Sequence, residues 1–176
     1  DVLLAGDTTF GGVGRWDIRT NANGLANLST GGNTYNLTKV GANQVSLVSA
    51  VVDAALADVD VLAGTFSYEV ANTGLGNPAR TATVHSNATF QLWALLNPLD
   101  KTFRLKNGSN LRIGSGTGNI LTGAIELESG NANINAVSGT QVILSGSLTG
   151  AGGFTKPETG TVILAGANSF AGNITN

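Results

Sequence analysis

The most constraining feature of this chain is a beat. Small turn residues recur at Asn43, Gly64, Asn87, Gly108, Gly130 and, after a longer stretch, Gly160, with steps of about 21–23 residues before the last. The segments between them repeat as well. "ILTGAI" (Ile120–Ile125) returns as "ILSGSL" (Ile143–Leu148), and "TFRLKNG" (Thr102–Gly108) returns as "AIELESG" (Ala124–Gly130). Within each segment apolar residues alternate with period two, and glycine or asparagine interrupts before a helical period can establish itself. Short strands at a fixed period of about 22 residues are the signature of a parallel β-solenoid, in which each coil adds one strand to each of several sheets. The crossover rule gives the expectation of a right-handed helix.

Stacking the coils on this beat places side chains in columns. One inward column is Val59, Ala82, Phe103, Ile125 and Leu148; the next is Val61, Val84, Leu105 and Leu127. Outward positions then carry Asp60, Thr83, Arg104 and Glu126, followed by Leu62, His85, Lys106 and Glu128. This register sets Arg104 beside Glu126 and Lys106 beside Glu128. Opposite charges on neighbouring strands contribute a few tenths to about 1 kcal/mol each.

The chain also opens and closes on nearly the same phrase, "DVLLAGDTTFGG" against "TVILAGANSFAG" at Thr161–Gly172. Val2 and Val162 therefore share a phase, with about seven coils between them, and the 176 residues read as a single β-helix domain. Solenoid ends carry unpaired backbone groups that recruit further strands unless capped. Neither terminus reads as an amphipathic cap. Val45–Val59 is open to a short helix, but it lies mid-chain. Val2, Leu3 and Leu4 at one end and Val162, Ile163 and Leu164 at the other are thus expected to join copies end to end. The competing expectation is an excerpt of a longer array. A first residue of Asp1 fits a processed or excerpted chain.

The passage "GAGGFTKPETGTVILAGANSFAGNIT" (Gly150–Thr175) resembles the passenger-associated transport repeat, also called the autotransporter-associated β-strand repeat. Gly150, Gly152, Gly153, Thr155, Lys156, Gly160, Thr161, Leu164, Gly166, Asn168, Phe170 and Gly172 fit its pattern, while Phe154, Pro157 and Glu158 depart from it. "LTKVGANQVSL" (Leu37–Leu47) parallels "FTKPETGTVIL" (Phe154–Leu164) and lies in a more degraded copy that runs from Tyr35 to about Gly76. The resemblance implies a large β-helical surface protein of bacteria, secreted or displayed at the cell surface. It implies a structural and export-related role without catalytic residues.

Composition narrows the function classes. Charged residues are 11% of the chain, the net charge is −2, and Lys and Arg form no cluster, which argues against nucleic acid. No apolar run approaches the roughly 20 residues of a membrane-spanning helix. Cysteine is absent and His85 is the only histidine, so disulfides, a Ser-His-Asp triad and a His-rich metal site are disfavoured by inventory. Asp58 and Asp60 point the same way from one strand. They could serve as a calcium site with Asp53 or as a glycosidase pair, but a solvated strand edge is the preferred reading. Trp16, flanked by Arg15, Asp17 and Arg19, is the candidate for stacking on a surface glycan, whereas Trp93 reads as core or near-core. Five Asn-x-Ser/Thr triplets follow from composition, and the asparagines are expected at coil corners. The resulting expectation is a non-enzymatic, cofactor-free extracellular stalk, matrix or fibre subunit, with a glycan-binding adhesin as the alternative. A polysaccharide-active enzyme is the remoter reading. Residues 13–35 show the weakest pattern.

Overall fold

The computed structural model describes residues 1–22 and 24–176, and among them the chain is all strand and turn, with no helix. The strands occupy three faces in rotation. The first face carries β1 (Val2–Leu3), β4 (Asn27–Ser29) and β7 (Val51–Val52), then β14 (Asn119–Leu121), β17 (Gln141–Leu144) and β20 (Thr161–Leu164). The second carries β2 (Thr8–Phe10), β5 (Leu37–Lys39), β8 (Val59–Val61), β10 (Thr81–Val84), β12 (Thr102–Leu105), β15 (Ile125–Leu127) and β18 (Leu148–Thr149). The third carries β3 (Trp16–Arg19), β6 (Gln44–Val48), β9 (Thr65–Glu69), β11 (Thr89–Trp93), β13 (Asn110–Ser115), β16 (Asn131–Ala136), β19 (Gly153–Thr155) and β21 (Ile174–Thr175). All pairings between these strands are parallel, which makes a β-solenoid of about 8 turns of about 22 residues. Across the middle of the first face, residues 72–75 and 95–99 replace regular strands. Thr73 N–H still donates to Ala50 O at 3.1 Å, and Leu99 bridges Leu121.

The period-two pattern builds the core directly. On the second face Leu37, Val59, Ala82, Phe103, Ile125 and Leu148 stack in register and are fully buried. The neighbouring column of Phe10, Val61, Val84, Leu105 and Leu127 takes in Lys39 between Phe10 and Val61. On the third face the inward columns are Trp16, Val45, Phe66, Phe90, Leu111 and Ile134, and Ile18, Leu47, Tyr68, Leu92, Ile113 and Ala136. Phe90 joins the two faces, with ring centroids 5.7 Å from Phe66 and 4.9 Å from Phe103. Each such large side chain contributes about 1.5–3 kcal/mol by leaving water, so the stacked columns rather than any one strand carry the fold.

The corners obey stricter chemistry. Leaving the third face, the chain turns left-handed at Ser49, Val70, Ala94 and Gly116, with φ of 50°, 63°, 50° and 81°. Only the last of these is a glycine, and the β-branched Val70 is strained there. Buried asparagines hold this corner. Asn72 Oδ1 accepts from Ala50 N–H at 2.7 Å while its Nδ2 donates to Leu47 O and Glu69 O. Asn119 does the same with Leu95 N–H, Ser115 O, Gly116 O and Gln141 O. At the corner from first to second face, Gly123, Gly146 and Gly166 stack on one another. A Cβ on each would lie 2.0–2.1 Å from a carbonyl oxygen of the coil before it, namely Lys101, Gly123 and Gly146.

Two expectations need correction, and one stretch that the sequence left open is placed. Val45–Val59 is not helical: it forms β6, β7 and the approach to β8. Val45 and Leu47 enter adjacent inward columns, and the left-handed turn at Ser49 ends any helical path. The described residues of 13–35 belong to a coil, since Trp16–Arg19 pairs with Val45–Val48 at a spacing of 29 residues. The Leu37–Leu47 and Phe154–Leu164 phrases do not share a coil position, because Leu37 lies on the second face and Phe154 on the third. What they share is a corner. Lys39 Nζ donates to Val40 O, Gly41 O and Ala63 O at 2.8–3.1 Å, and Lys156 Nζ donates to Glu158 O at 2.6 Å. In both places the Thr-Lys pair folds an ammonium back onto the carbonyls of the following turn. Asparagines also depart from a simple corner rule, since Asn87 alone among those described has positive φ.

Candidate functional site: the outer faces and the two ends

The second face presents its charges in pairs. Arg104 Nε lies 2.8 Å from Glu126 Oε2, and Lys106 Nζ lies 3.7 Å from Glu128 Oε1. Asp58 accepts from Thr81 N–H at 2.8 Å and faces Arg80 at 3.5 Å, while Asp60 lies 3.3 Å from the His85 ring. Asp58 belongs to a staircase in which Asp7 accepts from Asn36 N–H, Asn36 from Asp58 N–H, and Asp58 from Thr81 N–H. These carboxylates are therefore engaged by the next coil and by the Arg80 and His85 side chains. Asp53 is elsewhere, at the edge of the first face, where it accepts from Thr30, Gly32 and Ala55 N–H at 3.0 Å. Those donors, Ala55 first, hold its carboxyl well below the usual range. No cluster of three or more His, Asp or Glu with metal-binding geometry occurs among the described residues.

The two tryptophans exchange the roles expected of them. Trp16 heads an inward column. Its indole N–H donates to Gly11 O at 3.0 Å, and its ring meets Phe10 edge-on at 5.0 Å. It is half-buried flooring for the first coil rather than a free surface ring. Trp93 points outward and remains 41% exposed. It sits on a polar outer surface that the third face builds from Arg15, Asp17, Gln44, Glu69, Gln91 and Arg112. Arg15 reaches both Asp17 at 2.9 Å and Glu69 at 3.3 Å, and Gln91 donates to Ser67 Oγ at 3.0 Å.

The ends are alike in construction. Val2 and Val162 both lie on the first face, on strands that close opposite edges of it. Leu3 is 71% exposed at one end, and at the other end Ile163 on the first face and Ile174 on the third are 39% and 54% exposed. Leu4 is buried while Leu164 is half-buried. Phe10 with Trp16 floors the first coil, and Phe154 with Phe170, 5.9 Å apart, closes the last. Gly6 repeats the corner glycine of Gly123, Gly146 and Gly166, yet a Cβ there would meet nothing within 4 Å.

Two buried lysines escaped the sequence reading. Lys39 occupies an apolar column, and Lys101 is fully buried with Nζ 2.7 Å from Ala57 O and 2.9 Å from Asn77 O. Burial pushes the Lys101 ammonium down to about 8, opposed in part by Asp58 and assisted by Arg80. The signal for Lys39 was present, since it falls in phase with Val61 and Val84. Lys101 carried none, because its partners are main-chain carbonyls of the two preceding coils.

Compared with known proteins, the chain matches no family model, no curated protein and no solved structure. The architecture that stands is a parallel β-solenoid of about 8 turns.

Proposed function

We propose that the protein is a structural β-solenoid of the cell surface or extracellular space, a stalk, matrix or fibre subunit that lengthens by edge-to-edge stacking of copies. The observation that carries this reading is Gly6. At the same corner, Gly123, Gly146 and Gly166 are glycine because the preceding coil's carbonyl leaves no room for a Cβ. Gly6 keeps the residue without the neighbour. A coil seated below β1, from a second copy or from an adjoining stretch of a longer array, supplies that neighbour; between copies, β20 of one pairs β1 of the next. It also covers Leu3, Ile163 and Ile174 and satisfies the open strand edges. The likeness of Gly150–Thr175 to the transport repeat supports placement outside the cell.

The test is Gly6→Leu. Gly6 has open space and no left-handed φ, so the single copy should fold as before. Sedimentation velocity across a wide concentration range should show growing rods for the wild type and a single short rod for the variant. A wild type that stays a single copy at hundreds of micromolar, or a variant that associates equally well, would overturn the reading.

A further inference from the structure

On the outer surface of the third face, β11 and β13 slip register after Leu92–Ile113, so that Trp93 pairs Ser115 and Gly114 is left over. That glycine is where three side chains converge. A Cβ on Gly114 would lie 2.8 Å from Trp93 Cε3, 2.8 Å from Arg112 Nη1 and 3.1 Å from Gln91 Oε1. The bulge thus lets an indole, a guanidinium and an amide lie together over bare backbone. The guanidinium is aimed by neutral groups: Arg112 Nη1 donates to Gln91 Oε1 at 2.6 Å, and Gln91 Nε2 donates to Ser67 Oγ. Arg112 is in none of the ion pairs among the described residues, and the Glu69 carboxylate is engaged by Arg15 and Gln44. Among the described residues Trp93 is also the only aromatic of the exposed large apolar side chains.

We infer that this cluster is a binding subsite for an acidic glycan. A pyranose ring stacks on the exposed indole face, and its carboxylate takes the free donors of Arg112 in the paired geometry that guanidinium favours. A neutral sugar leaves Arg112 without an anion, so the site discriminates by charge. This subsite lies on the lateral surface, away from the ends, and is independent of stacking.

The experiment titrates the folded protein with oligomers of galacturonate, glucuronate and mannuronate, and with uncharged galactose and glucose oligomers, reading tryptophan fluorescence and calorimetry. Saturable binding of at least one uronate is expected, with the neutral partners bound at least about tenfold more weakly, the worth of one charge-assisted contact. Trp93→Ala and Arg112→Gln should each weaken it about tenfold, and Trp93→Phe should retain most of it. Arg104→Gln, on the second face, should leave it unchanged, with circular dichroism confirming the fold of each variant. Three results would overturn the inference: no saturable binding of any uronate, equal losses in Arg104→Gln and Arg112→Gln, or full binding by Trp93→Ala.

Discussion

Replacing Gly146 by alanine should do damage out of proportion to one methyl group. The new Cβ would lie 2.0 Å from Gly123 O, where ordinary contact begins at 3.4 Å, and every near atom is backbone that cannot rotate away. Relief requires the two coils to part by roughly an ångström at this corner. The flanking bonds, Ser145 N–H to Leu121 O at 2.9 Å and Ile125 N–H to Ser147 O at 2.8 Å, then pass out of hydrogen-bonding range. Each costs about 1–1.5 kcal/mol, and loosened packing of Leu144 on Leu121 and Leu148 on Ile125 adds about 1–2. The expected loss is about 3–5 kcal/mol by urea titration followed by circular dichroism. Gly6→Ala is the matched control. The same corner position is open there, so the change should be neutral or stabilise by about 0.5 kcal/mol through the unfolded chain. A loss below about 1 kcal/mol in Gly146→Ala, or equal losses at the two sites, would refute coil-on-coil contact as the reason for glycine.

Val70→Gly should stabilise by about 1 kcal/mol, since a β-branched residue at φ 63° is strained, and a fall in stability by denaturant titration would contradict this. Asn72→Ala leaves Ala50 N–H and two carbonyls without their buried partner and should cost about 2–4 kcal/mol in the same assay; Asn72→Asp should cost at least as much, because a buried carboxylate can only repel the Leu47 and Glu69 carbonyls. Lys101 binds its proton less tightly folded than unfolded, so the unfolded state holds more protons between about pH 8 and 10.5. Stability should therefore rise with pH across that window, by up to about 3 kcal/mol, and Lys101→Met should flatten the rise. Arg104→Gln breaks only an exposed pair and should cost less than about 1 kcal/mol.

The second face was the most legible part of the sequence because β8, β10, β12 and β15 keep unbroken alternation between glycine-marked turns. Val59 through Leu148 therefore align without tertiary information. Alternation was also enough to place both tryptophans, since Trp16 is in phase with inward Ile18 and Trp93 is out of phase with inward Leu92. The charged neighbours of Trp16 and the apolar neighbours of Trp93 pointed the other way. In a strand those neighbours lie on the opposite side of the sheet and say nothing about the residue between them. The shared Thr-Lys phrase misled for a related reason: it encodes how a corner closes, and corners of one kind occur on different faces. The convergence over Gly114 was not legible, because it depends on a register slip between two strands, from Leu92 opposite Ile113 to Trp93 opposite Ser115.

Edge-to-edge stacking is tested most directly by electron microscopy of the purified protein at physiological salt. Copies joined through Gly6 and the β1 and β20 edges should appear as thin rods whose lengths are multiples of about 38 Å, the rise of eight coils at strand spacing. Rods of a single length near that value at every concentration would mean that the matching ends do not join.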